Sequence, residues 1–357
     1  MIFTGLFVAY SLQAQYVAGG DELGLYTGHT AGYLGSGLSV VDFNGDGFDD
    51  LSFCHHDGDM KFYEGDGAGG FTLVNLGIDN SGADAKSVSW VDLDNDGDQD
   101  LFVTNRLAQN RLWRNDGEAG FVDVTETSGL NLAERKSYGA SFADYDNDGD
   151  LDLFIANYNA APTEMLNELY ANNGDGTFSE TTVSAGLAQD VKQSFLGEWT
   201  DFNEDGLLDL YVIRDRWIYV NLYYENQGDG TFENVAEERG LDLAINGMCS
   251  AIGDYNRDGD MDVFVTGLQN ENTLLTNDGT GNFSNIGSEE FNIWHTCWSG
   301  NWLDWDNDGW LELHVATGTS EYTNYPDILT DIDQIPDSMF AFNDGVWTAM
   351  PNTGLEA

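Results

Sequence analysis

Short runs of alternating apolar and polar residues recur along the chain, broken by glycine, asparagine and aspartate. In "SYGASFADYD" (Ser137–Asp146) small and large side chains alternate, which predicts a strand. "LDLFIANY" (Leu151–Tyr158) is apolar on both alternating faces and predicts a strand buried on both sides. "NELYANN" and "TFSETTV" predict a third and a fourth strand, joined by a turn at "NGDG". The same hairpin returns as "RLWRNDGEAGF", "NLYYENQGDGTF" and "NTLLTNDGTGNF", and less regularly as "KFYEGDGAGGF" and "MFAFNDGVW". No stretch carries a helical period, so the chain is predicted to be all-β.

Between the first and second strands of each unit lies an acidic loop of the form D-x-[DN]-x-D-G-x-x-[DE]-[LV]. The first aspartates are Asp42, Asp92, Asp144, Asp201, Asp254 and Asp304, spaced 50, 52, 57, 53 and 50 residues apart. A period of this size marks a repeat architecture. Four antiparallel strands in a unit of about fifty residues predict a β-propeller blade, because a β-helix repeats at a much shorter interval. Six units are visible, and the sequence leaves open a six-bladed ring and an incomplete seven-bladed one. Large apolar residues stand two before each loop (Val40, Trp90, Phe142, Trp199, Ile252 and Trp302). Another set stands two after the last loop ligand (Phe102, Phe154, Tyr211 and Phe264), with His314 in that slot of the last unit. Both sets are predicted to pack blade against blade.

Carboxylates so close together need a counter-charge. A hard divalent cation prefers oxygen ligands, and calcium accepts six to eight of them in flexible geometry. Loop positions 1, 3, 5 and 9 offer side-chain oxygens, position 7 offers a carbonyl, and a glycine at position 6 permits the sharp turn. The predicted ligands are Asp42, Asn44, Asp46, Phe48 and Asp50 in the first loop, and Asp92, Asp94, Asp96, Asp98 and Asp100 in the second. The third supplies Asp144, Asp146, Asp148, Asp150 and Asp152, and the fourth Asp201, Asn203, Asp205, Leu207 and Asp209. The fifth supplies Asp254, Asn256, Asp258, Asp260 and Asp262, and the sixth Asp304, Asp306, Asp308, Trp310 and Glu312. Phe48, Leu207 and Trp310 act through their carbonyls only. Magnesium demands a stricter octahedron, and zinc prefers the histidine and cysteine that the loops lack. Loops with Asn44, Asn203 or Asn256, or with Glu312 in the last place, are expected to bind calcium more weakly.

These loops, with hairpins such as "NELYANNGDGTF", resemble the FG-GAP/VCBS repeats of integrin-type propellers, in the variety found in secreted bacterial proteins and cartilage acidic proteins. The resemblance covers roughly residues 35 to 350. It implies structural calcium in the equivalent loops. Longer members of that family carry a further C-terminal domain, which implies that this sequence is a piece of a larger surface protein.

Charge and composition narrow the partners. The chain has 63 acidic and 12 basic residues, a formal net charge of -51. Such a surface does not bind nucleic acid by neutralising phosphates, and anionic membranes repel it. A hydrophobic fraction of 41% still allows a core, and 43 glycines against 4 prolines suit many tight turns. Cys54, Cys249 and Cys297 lack metal or redox spacing and are expected to be inert thiols, a Cys249–Cys297 bridge being the one pairing to weigh. Residues 1–15, "MIFTGLFVAYSLQAQ", resemble an export leader without its basic start, leaving 16–357 as the propeller and a secreted or cell-surface location as the expectation. No later apolar run has the length of a membrane span.

With calcium loops and hairpin turns at one end of the ring, the variable connections fall at the other, where recognition usually resides. Tyr158, Trp217, Tyr322 and Tyr325 lie in them and could stack on sugar rings, although loop packing is the commoner fate of such residues. Lys86, Lys136 and Lys192 each precede or begin a first strand, so they are expected near the axis as a cationic spot for an anionic ligand, or as partners of nearby carboxylates. The favoured function is an extracellular scaffold that binds carbohydrate or protein. The alternative is a polysaccharide lyase or hydrolase, for which Lys192, Arg214, Arg216 and Tyr158 are candidates that no spacing selects. There is no G-x-S-x-G, no H-E-x-x-H and no paired Cys–His signature.

Overall fold

A computed structural model describes residues 25, 37–56, 59–158, 166–188, 192–268, 270–287, 291, 293, 295–318, 337–343 and 346–350. The proposed leader, Tyr322 and Tyr325 lie outside the described residues. Six four-stranded antiparallel sheets follow one another along the chain, each with its strands in sequential order. Their first strands are Leu38–Val41, Ala85–Val91, Ser137–Ala143, Ser194–Thr200, Cys249–Gly253 and Thr296–Leu303. A central cavity is lined by residues from the start of all six, so the sheets are the blades of a six-bladed propeller and the first strands surround its axis. Helix is limited, among the described residues, to the four-residue Ala236–Arg239 and one short 3-10 turn. Among the described residues, no helix is long and apolar enough to cross a membrane.

The blade pattern follows from where each strand stands. Second strands lie between neighbouring blades, and Asp100–Asn105, Asp152–Asn157, Asp209–Arg214 and Asp262–Thr266 are buried at every position. Fourth strands are short and keep most side chains exposed, as in Phe121–Asp123, Phe178–Glu180 and Phe232–Asn234.

The hydrophobic core is divided into compartments between blades, and the two apolar sets flanking each loop build them. Phe102 of blade 2 meets Phe142 of blade 3 edge to face at 5.8 Å. Phe154 meets Trp199 at 6.4 Å, and Phe264 meets Trp302 at 6.4 Å. Tyr211 and Ile252 share the compartment between blades 4 and 5, while Trp90 stacks on Phe43 of blade 1 at 4.9 Å. His314 is buried in the corresponding place of blade 6, with Nε2 3.6 Å from an oxygen of Asp337. The three cysteines are free thiols, and burial pushes Cys54 and Cys249 up to about 12 and Cys297 up to about 11.

Candidate functional site

Each acidic loop is a self-closed turn built on its first aspartate. In blade 3, Asp144 accepts the backbone N–H of Asp148 through Oδ1 at 3.0 Å and of Gly149 through Oδ2 at 3.1 Å. Asp148 in turn accepts the N–H of Asp150 at 3.0 Å. The same bond from position 7 to position 5 is made by Phe48, Asp98, Leu207, Asp260 and Trp310. Position 6 is a glycine with φ between 86° and 101° in every loop. Position 4 is also left-handed, a conformation that glycine and asparagine adopt most easily. Gly45, Asn95, Asn147 and Asn307 suit it, whereas Glu204 (φ 59°) and Arg257 (φ 61°) adopt it against their preference. The ligand motif hides this second turn position, although four of its six residues are glycine or asparagine.

Position 9 ties the loop to the sheet. Asp152 accepts the N–H of Tyr145, within the loop, at 3.1 Å and that of Asn172, in the third strand, at 2.9 Å. Asp50, Asp100 and Asp209 make the equivalent pair of bonds, and Glu312 accepts the N–H of Trp305 at 2.7 Å with its longer reach. Burial raises these carboxyls, reinforced by the neighbouring loop aspartates: Asp100 and Asp209 to about 6, Asp152, Asp262 and Glu312 to about 7. A bound cation acts in the opposite direction, since a nearby positive charge favours the ionised form.

The donor set fits a hard cation. Three carboxylates come within 4.8 Å of one another in four loops: Asp92, Asp94 and Asp96; Asp144, Asp146 and Asp152; Asp254, Asp258 and Asp262; Asp304, Asp306 and Asp308. Loops 1 and 4, with Asn44 and Asn203 in the third place, form no such trio among the described residues. Loop 5 forms one despite Asn256. The Oδ1 atoms of Asp94 and Asp304 are buried and accept no hydrogen bond. Buried carboxylate oxygens without donors are costly unless an ion satisfies them. Phe48, Leu207 and Trp310 have no side-chain oxygen, and Phe48 is 46% exposed, in keeping with a carbonyl role at position 7.

One recurrent residue at this end escaped the sequence reading. The asparagine that ends the third strand reaches into the loop of the preceding blade. Asn172 Nδ2 donates to the carbonyl of Leu93 at 3.0 Å, Asn226 to Tyr145 at 2.8 Å, and Asn277 to Phe202 at 2.8 Å. Its signal was the Asn at the head of five of the six hairpin turns, Gly65 standing there in blade 1. Loops also meet directly: Asn95 Nδ2 donates to Asp150 Oδ1 at 2.8 Å, and the Arg257 guanidinium lies 4.2 Å from the Trp310 ring centre.

The opposite end gathers the cations. Lys86, Arg106, Arg135, Lys136, Lys192, Arg214 and Arg216 all lie where first strands begin or second strands end. They do not form one ring of equal members. Lys86 is buried, with Nζ 2.9 Å from Asp84 Oδ1; Asp84 also receives Arg106 and His56. Lys192 is half-buried over the Tyr219 ring at 5.1 Å, and Lys136 is exposed. Tyr158 takes the packing role that was weighed for it, not the sugar-stacking one. It is buried against Phe195 at 4.8 Å and Tyr138 at 5.2 Å, with its hydroxyl donating to Asp215. Trp217 is 66% exposed, and Arg214 is buried. Rigid blades carrying variable connections make a scaffold suited to binding.

Comparison with known proteins agrees with this geometry. A 97-residue stretch is 30% identical to cartilage acidic protein 1 of Xenopus tropicalis, and the match spans 26% of this chain and 15% of that protein. Two crystal structures of BBS1N in complex with ARL6DN, soaked with lead and with mercury, align with TM-scores of 0.54 and 0.53 at 10% and 11% identity. They cover 90% and 91% of this chain and 85% and 84% of theirs, a likeness of fold alone. The FG-GAP-like repeat matches residues 42–103, 92–155, 144–197, 201–265 and 254–315, each match running from one acidic loop through the second strand of the next blade or close to it. The chain belongs to the FG-GAP-like repeat family.

Proposed function

We propose that this protein is a secreted or cell-surface binding scaffold, stapled by about one calcium ion per acidic loop, that recognises an extracellular carbohydrate or protein. The observation that carries the reading is the convergence of three carboxylates within 4.8 Å in four separate loops at one end of the ring. Calcium holds positions 1, 3, 5, 7 and 9 together and removes the repulsion that the folded loops otherwise contain. Its role is structural, because the loops are closed turns tied to the sheets. The leader-like residues 1–15 and the local likeness to a protein named for cartilage support an extracellular location.

Recognition falls to the opposite end, where connections vary from blade to blade and where Lys86, Lys136, Lys192, Tyr158 and Trp217 are placed. Trp217 and Lys136 are available for direct contact, Lys86 lines the axial cavity, and Tyr158 shapes the surface from beneath.

Two measurements test the reading. Calcium titration by calorimetry, with loop-by-loop Asp→Asn variants at position 1, is expected to give several sites, those with Asn44 and Asn203 the weakest. Binding of no calcium would end the proposal. Calcium-loaded protein is then incubated with a panel of polysaccharides and matrix proteins, and the same samples are read for retained protein and for new chain ends. Retention without cleavage is expected. New unsaturated or reducing ends would replace the binding role with an enzymatic one.

A further inference from the structure

The six blades agree closely in their loops and hairpins, so they serve as one another's controls. One position breaks the agreement completely. The residue six before each first loop aspartate is Ser36, Lys86, Tyr138, Phe195, Met248 or Trp298. Ser36 lies outside the described residues. The other five, each from a different blade, line the cavity on the axis at the end opposite the calcium loops. The next position along is mostly small: Gly37, Ser87, Gly139, Cys249 and Ser299, with Leu196 the exception. Small residues form the inner tier of the cavity, and a cation, three aromatic rings and a methionine form the outer one.

The strands are bent to place this outer tier. In blade 2 the pairing of first and second strands passes from Ala85 to Ser87 and skips Lys86. In blade 4 it skips Phe195, and in blade 6 it skips Trp298. In blade 3 the irregularity falls at Tyr138 and Gly139. A β-bulge leaves one residue out of the ladder and re-aims its side chain. Four blades thus bulge at the residue that faces the axis, which a scaffold alone does not require.

The cavity has a volume of about 410 Å³, within the range of small-molecule sites. Its wall is largely apolar, with Tyr138 and Phe195 edge to face at 5.3 Å and with Trp298 and Met248 completing the belt. Lys86 Nζ stands 5.6 Å from the Tyr138 ring centre and 2.9 Å from Asp84 Oδ1, and Asp84 also receives Arg106, so two cations share one carboxylate here. Flat faces beside positive charge select a ring that carries an anion.

We propose that the axial cavity is a binding site for a small ring-bearing carboxylate, either a sugar acid or an aromatic acid, held with its ring against Trp298 and Tyr138 and its carboxylate toward Lys86. The proposal deepens the recognition role assigned above to this end of the propeller. Glucuronate and phenylacetate are the probes for the two sources, with glucose and phenylethanol as neutral counterparts. Ligand-observed NMR and calorimetry on the calcium-loaded full chain are expected to show one saturable site for at least one acid, bound at least tenfold more tightly than its neutral counterpart. Which acid binds identifies the source.

Trp298→Ala removes a ring face, and Ser299→Phe fills the inner tier without removing a contact; each is expected to weaken binding at least tenfold with calcium stoichiometry and melting temperature unchanged. No saturable binding of either acid, equal binding of acid and neutral counterpart, or binding indifferent to both variants would overturn the proposal. Retention on the polysaccharide and matrix panel is measured on the same variants. Retention that persists when acid binding is absent leaves the scaffold reading intact and removes only the axial site.

Discussion

At the level of single residues, the acidic loop is at once a carboxylate cluster that could hold a metal ion and a backbone device. Its first aspect was legible as carboxylates at the spacing a hard cation needs. Its second was not, because nothing in a string of aspartates shows that position 9 accepts one N–H from the loop and one from the third strand. Position 4 was equally hidden. Glu204 is held at φ 59°, where asparagine is at home in the loops of blades 2, 3 and 6. Glu204→Asn is therefore expected to stabilise the protein by about 0.5–1 kcal/mol in denaturant unfolding with calcium present.

Glu198 gives a residue-level pH prediction away from the loops. Its carboxyl lies between blades 4 and 5, where the Ser250 hydroxyl donates to it, and burial pushes it from 4.5 up to about 7. The folded state thus retains a proton that the unfolded chain releases. Stability linked to this group is present below the unfolded value and is lost as pH rises toward 7. Glu198→Gln is expected to exceed the parent by about 2 kcal/mol at pH 8 and to differ little at pH 5, both in saturating calcium.

At the level of elements, strand order and blade boundaries were legible in the sequence, since alternating runs and Gly-rich turns repeat six times. The paired apolar positions were equally clear: a large residue two before the loop and another two after it meet across the gap between blades. Strand irregularities were not legible, because a bulge at Lys86 or Phe195 leaves no mark in a pattern of hydrophobicity. Nor did the sequence choose between sugar stacking and packing for Tyr158, whose ring joins Tyr138 and Phe195 beneath the surface. The Asn at the third-strand end shows how elements are joined. Asn226 donates to Tyr145 of the preceding blade at 2.8 Å and to Leu208 of its own blade at 3.1 Å. Asn226→Ala strands both carbonyls and is expected to cost about 2–3 kcal/mol of unfolding free energy. Asn115 Nδ2 donates to Gln99 in its own blade at 3.2 Å and to no other blade among the described residues. Asn115→Ala is expected to cost about 1 kcal/mol, so the two variants measured together separate the bond between blades from the one within.

At the level of the whole molecule, the net charge of -51 and the six-loop end act together. On the proposed calcium role, chelation removes the counter-charge from every loop at once. The melting temperature is expected to fall by more than about 10 °C, because a few kcal/mol already shift a domain by that much. Added sodium chloride should restore part of the loss by screening, and added calcium all of it. A melting curve indifferent to chelator would show that the loops close without an ion. The repeat period made the propeller legible, and the cavity lined from the start of all six blades sets these six in one ring.

The sorting of charge between the two ends also decides how the molecule can be handled. Lys86, Lys136 and Lys192 sit where first strands begin, and Lys61 begins a third strand, so all four lysines lie at the end of the molecule that holds the axial opening. Amine coupling to a sensor surface therefore fastens the propeller mouth down and blinds the face under study, whereas capture on a cationic support grips the acidic end and leaves the opening toward solution.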